Sequence, residues 1–173
     1  ILIGLNLLEI STYHLSTKEK QFKNINIKEF KPMMIEVEES KTENNILRNS
    51  LLANSISILS ENSDAEYPQK IFELGKVFEN DEKYEQSDTQ ITETEKLCLS
   101  LCSDTSNFTE IKQILDYLMR MLNIEYKIKQ IENPNPTFIE GRGGTIIINN
   151  KEIGVIGEIS PTVLKNNKIK MPV

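Results

Sequence analysis

The stretch "GTIIINNKEIGVIGEIS" constrains the fold more than any other part of the chain. Two runs with β character meet at Asn149-Asn150, and Asn tolerates the positive φ that a tight hairpin demands. Residues Gly144 to Ser160 therefore predict an antiparallel pair. Pro161 directly after Ser160 then opens a final short helix, "SPTVLKN", with Ser160 as its N-cap.

Other elements follow from periodicity. "SNFTEIKQILDYLMRMLN" sets Ile111, Ile114, Leu115, Leu118 and Leu122 at helical spacing, which predicts a helix over Ser106 to Asn123, with Asn107 and Glu110 at capping-box separation. "NNILRNSLLANSISILSENS" carries Leu47, Leu51, Leu52, Ile56, Ile58 and Leu59 on a broad stripe, so a helix of about four turns is expected from Asn45. Pro68 restricts Tyr67 to extended geometry and ends it. "KIFELGKVFE" reads as a strand, and "EKLCLSLCS" as a central strand, apolar on both faces. Between them, Asn80 to Glu95 is a polar loop expected to be mobile.

At the N-terminus, Ile1 to Leu5 suggests the end of a helix with Gly4 near its terminus, leading to a strand over Glu9 to Leu15. A Lys- and Asn-rich connection, Ser16 to Lys31, and an extended "PMMIEVEES" follow. "EYKIKQI" alternates as a strand, and "ENPNPTFIEGRGG" reads as a loop. Hairpins outnumber βαβ crossovers, so the fold class is α+β: one domain over residues 1–173, an antiparallel sheet flanked by helices.

Composition narrows the function. A net charge of -6 argues against a surface dominated by phosphate contacts. No apolar run approaches the ~20 residues of a membrane-spanning helix and no secretory leader opens the chain, so a soluble protein is expected. Its start without Met at "ILIGLNLLEI" and its end at "KMPV" suggest a piece of a longer polypeptide. Cys98 and Cys102, the only cysteines, fit reduced core thiols.

Several residues invite chemistry and also have a plain reading. His14, the only histidine, is a base without a local Ser, Cys or carboxylate partner, or an ordinary strand residue in "STYHLS". Glu36, Glu38 and Glu39 offer paired carboxylates, or the solvated face of a strand alternating with Ile35 and Val37. Gly141 to Gly144, "GRGG", is a phosphate loop with no following lysine or helix, or a flexible turn that lets Arg142 reach a neighbour. Glu73, mid-strand in "IFELG", is a catalytic carboxylate or a scaffold residue.

Taken together, "GLNLLEISTYHLS", "LRNSLLANSISILSENSDAEYPQKIFELGKVFEND", "FIEGRGGTIIINNKEIGVIGEISPTVL" and the closing "KMPV" resemble the synthetase-like core domain near the C-terminus of the phenylalanyl-tRNA synthetase β subunit, in its archaeal or eukaryotic-cytosolic form. The motifs that carry this are Arg48-Asn49-Ser50-Leu51-Leu52 before Phe72-Glu73-Leu74-Gly75, then Gly141-Arg142, then Gly154 to Pro161 with Ser160 where the family often has His. The resemblance implies a class II aminoacyl-tRNA synthetase fold. Catalytic relatives hold ATP with an arginine in a Phe-Arg-x-Glu strand and another opening the helix after a Gly-rich strand. Here Ile71-Phe72-Glu73 has no arginine ahead of the glutamate, and Ile159 follows Glu158. Arg48, Arg120 and Arg142, the only arginines, fall at neither position.

The implied role is a noncatalytic domain that supports an α2β2 assembly with the α subunit, a cytoplasmic enzyme that uses ATP and Mg2+ to attach phenylalanine to tRNA(Phe). No catalytic, cofactor-binding or metal-ligating residue, no cofactor and no membrane contact is expected within these residues. The alternatives are a free-standing RNA-binding or protein-interaction module, with Lys127, Lys129, Lys165, Lys168 and Lys170 as its cations, and an independent enzyme using carboxylates or His14.

Overall fold

The computed structural model describes residues 1–28, 34–38, 42–80, 91–131 and 135–173. In chain order the elements are β1 (Leu8–Glu9), β2 (Leu15–Ser16), α1 (Lys18–Gln21), β3 (Ile46–Leu47), α2 (Leu51–Glu61), β4 (Gln69–Asn80), β5 (Ile91–Cys102), α3 (Phe108–Met121), β6 (Lys127–Gln130), β7 (Phe138–Ile148), β8 (Lys151–Ile159) and α4 (Pro161–Asn166). The strands form three sheets, ordered β1-β4-β5, β2-β3 and β6-β7-β8. The α+β class holds, with two differences: the expected single sheet is three sheets among the described residues, and β1 runs parallel to β4, while the other strand pairs are antiparallel.

The β7–β8 hairpin turns at Asn149 and Asn150, with φ of 50° and 62°. Ser160 caps α4 and accepts from the Val163 amide, with Pro161 as its first residue. Asn107 caps α3 and accepts from the Glu110 amide. That helix is shorter than the sequence suggests. Its buried residues are Leu118 and Met119, whereas Leu122 lies beyond the helix and is exposed.

Six expectations are corrected. Ile3–Leu5 is one 3-10 turn closed by Asn6 at φ 60°, so Asn6 rather than Gly4 supplies the left-handed residue. The strand expected over Glu9 to Leu15 is two short pieces with different partners, because Thr12 between them gives its backbone N–H to Glu73 and its carbonyl to Arg48 instead of to a ladder. Helix α2 starts at Leu51, not Asn45; the Ser50 hydroxyl accepts from the Leu52 amide, and Ile46–Leu47 pair with β2.

Strand β5 stands at the edge of its sheet, with β4 in the centre, and pairs with β4 from Cys102 back to Ile91, so Ile91 to Glu95 are strand rather than loop. Phe138 to Gly144, read as loop, belong to β7. Glycines make that possible: a Cβ at Gly157 would stand 2.8 Å from Phe138, and one at Gly144 would strike Ile128. The rest of the expected polar loop, residues 81–90, lies outside the described residues, as do parts of "PMMIEVEES" and "ENPNP".

Helix α2 packs on the β4–β5 face, and Ala53, Ile56 and Leu59 meet Ile71, Cys102, Ile159 and Val163 in the largest apolar cluster. A second cluster joins Met119 of α3 to Ile146 and Ile156 of the hairpin.

Candidate functional site

The polar centre of the molecule is built around Glu73. It lies on β4 with only 2% of its surface exposed, and a carboxylate so placed requires a cation and full hydrogen bonding. Arg48, 1% exposed, supplies the cation: its Nη1 donates to Glu73 Oε1 at 2.6 Å. The same Nη1 donates to the Thr12 carbonyl and hydroxyl, and Nε donates to the Lys76 carbonyl at 2.8 Å. Thr12 donates its backbone N–H and its hydroxyl to Glu73, and Asn54 donates to that hydroxyl at 2.9 Å. Backbone bonds fix Arg48 further, its amide donating to the His14 carbonyl and its carbonyl accepting from Phe78.

Gly75 stands two residues beyond Glu73 on the same strand face. A Cβ there would sit 2.5 Å from Arg48 Nη2, so the glycine leaves the space the guanidinium occupies. Sequence reasoning placed Glu73 on its strand but missed its partners Arg48, Thr12 and Asn54. The available signal was the pair Glu73 and Gly75: a buried carboxylate, then a residue without a side chain on the same face, implies that a large cation lies across both.

The remaining candidates lie apart. His14 is exposed, its ring 5.3 Å from that of Phe78. Glu36 pairs with Lys18 at 2.7 Å on the surface, Glu38 is exposed, and Glu39 lies outside the described residues. The expected flexible turn at Gly141 to Gly144 is strand, yet Arg142 does reach a neighbour: its Nη1 donates to Glu158 Oε2 at 2.7 Å. Glu158 Oε1 accepts from the Phe108 amide at the start of α3, one of the N–H groups a helix leaves unpaired. Burial raises the Glu158 carboxyl, but the Arg142 and Phe108 bonds outweigh it and hold the group below its ordinary range.

Cys98 and Cys102 are free thiols, and burial pushes them up to about 12 and about 11. Among the described residues no three His, Cys, Asp or Glu side chains are grouped to hold a metal, and no helix is long and apolar enough to cross a membrane.

Nucleotide chemistry of the kind found in catalytic synthetases needs arginines free to meet phosphate. Arg48 is buried and committed, Arg142 is paired with Glu158, and Arg120 stacks over the Tyr117 ring at 5.3 Å. Ile159, at the second expected arginine position, is 4% exposed within the main apolar cluster. These residues do not fit an ATP and Mg2+ site of that kind. Lys127, Lys129, Lys165, Lys168 and Lys170 are exposed but divided between β6 and the segment from α4 onward. Ile1, Ile3 and Leu8 are exposed at the N-terminus.

Relatives place this arrangement in a family. The chain is 41% identical to the phenylalanine–tRNA ligase beta subunit of Pyrococcus abyssi and 40% identical to that of Pyrococcus horikoshii, in each case over all of this chain and 30% of the relative. It is 32% identical to the corresponding subunit of Methanosarcina barkeri over 96% of this chain and 28% of the relative. The chain thus spans about a third of the length of these relatives. Residues 1–173 match the family described as "Phenylalanyl tRNA synthetase beta chain CLM domain", and the chain belongs to that family.

Proposed function

We propose that these residues form a single class II synthetase-like domain of a phenylalanine–tRNA ligase β subunit, without a catalytic site of its own. Its role is to support assembly with an α subunit, as α2β2, for ATP-dependent attachment of phenylalanine to tRNA(Phe) in the cytoplasm. ATP and Mg2+ belong to the α subunit in this reading. We also place the domain toward the C-terminal end of that subunit.

The observation that carries the reading is the enclosure of Glu73. A carboxylate that lines an active site must reach substrate, and this one is spent on Arg48 and Thr12 beneath the surface. What the chain offers outward is apolar: Ile3 and Leu8 are each 66% exposed, and Leu74 and Leu97, cross-strand partners on β4 and β5, are exposed as well. Such a surface suits a protein partner more than a nucleotide.

Phenylalanine-dependent ATP–pyrophosphate exchange tests this with the β subunit alone and with the reassembled α2β2 enzyme. Exchange is expected only from the assembly. Exchange by β alone above a blank without enzyme overturns the noncatalytic reading, and exchange by the assembly that is unchanged by Leu8→Asp counts against the N-terminal docking surface.

A further inference from the structure

Two sheets end in open edges that face one another. Among the described residues β5 pairs only with β4, and β8 only with β7, so each presents an outer row of backbone groups without a strand partner. Both rows border one cavity of about 620 Å3, lined by residues 94–101 of β5 and 153–159 of β8. Leu51 and Leu52 of α2, and Ile111, Leu115 and Leu118 of α3, complete its walls. Unpaired strand edges beside apolar walls are a template for another strand.

The chain's last residues already take the first rung. Ser103, just past β5, donates its amide to the Pro172 carbonyl at 3.3 Å, and Ile159, the last residue of β8, donates to the Val173 carbonyl at 2.9 Å. Successive carbonyls bonded to opposite sides are the pattern of an extended strand lying between two others. Val173 itself lines the cavity. Strands β5 and β8 both run along the cavity toward this tail and end at it, so a strand that continued the tail back along the cavity would lie antiparallel to both. A third sign is Asn49, whose Oδ1 is buried and without a hydrogen-bond partner at the wall of the same cavity.

We propose that the cavity is a slot for one β-strand, filled by the polypeptide that follows Val173 in the longer β subunit. Filling it joins the two three-stranded sheets into one. The occupant is apolar on both faces, because α2 presents Leu51 and Leu52 to it and α3 presents Ile111, Leu115 and Leu118. This rests on the family membership, whose relatives are about three times as long as the chain, and not on the absence of catalysis.

The test uses the full-length β subunit in its native assembly. In hydrogen exchange followed by mass spectrometry, the amides of residues 94–101 and 153–159 should be protected, and prolines at the second and fourth residues after Val173 should speed their exchange by more than about tenfold while β4 keeps its protection. If the proline variant does not fold, cross-linking on the unaltered backbone decides: Val155→Cys is paired in turn with a cysteine at each of the first six residues past Val173. Disulfides forming at alternate positions support the slot. Free exchange along both edges in the unaltered protein, protection that survives the prolines, or no cross-link at any position overturns it, and none of these results bears on ATP–pyrophosphate exchange.

Discussion

Separating Arg48 from Glu73 is the sharpest perturbation the structure offers. Glu73→Ala leaves a guanidinium at 1% exposure without its counter-charge, and Arg48→Met leaves the carboxylate in the same position. Removing one partner of a buried ion pair costs about 3–5 kcal/mol, a large part of the 5–15 kcal/mol that holds a typical domain folded. Joint replacement by Arg48→Met and Glu73→Leu often restores stability in other buried pairs. It should not do so fully here, because the pair also satisfies backbone groups: the carbonyls of Thr12 and Lys76 lose their donor, and the Thr12 amide loses its acceptor. Each such group left buried costs about 1–3 kcal/mol. Simple addition of the single losses gives about 6–10 kcal/mol, and a coupling of about 2–3 kcal/mol lowers the expected double loss to about 4–7 kcal/mol. Urea denaturation followed by circular dichroism reads these as midpoint shifts at constant slope. Single losses below about 1 kcal/mol, the range of solvated pairs, or a strictly additive double variant, would refute the claim that the two side chains act as one buried unit.

Two further outcomes are expected. Leu118→Ala, at one of the two buried residues of α3, should cost about 2–5 kcal/mol in the same assay, and a loss under ~1 kcal/mol would mean that the helix is peripheral. The Glu158 carboxyl titrates below its ordinary value in the folded chain, so the stability it contributes is present above the unfolded value and is lost as pH falls through the folded one. Arg142→Ala removes one of the two bonds that outweigh burial, and carbon NMR of the Glu158 carboxyl should show its midpoint rise; an unchanged midpoint would mean that the Phe108 amide alone sets it.

Local rules were legible where the elements are set by neighbours in sequence. The Asn149-Asn150 turn, the Ser160 and Asn107 caps and the strand through Glu73 all follow from residues a few positions apart, and all stand in the structure. Two of the misreadings share one physical cause, the competition of distant groups for the backbone. Thr12 reads as the middle of a strand, yet its amide and carbonyl are taken by side chains 61 and 36 residues away, and the strand divides there. Arg48 reads as helix, yet its amide and carbonyl are bound by His14 and Phe78, and the helix waits until Ser50 can cap it. The same competition explains the site. The family pattern led to a glutamate without the arginine that precedes it in catalytic relatives, which favoured a scaffold residue over a catalytic one. In the fold, Arg48 arrives from the loop before α2 and meets that carboxylate from inside, over the space that Gly75 leaves open. The charge of Glu73 is thus compensated without being presented to a ligand. A strand can keep its glutamate in this way after the chemistry it resembles has no place to occur.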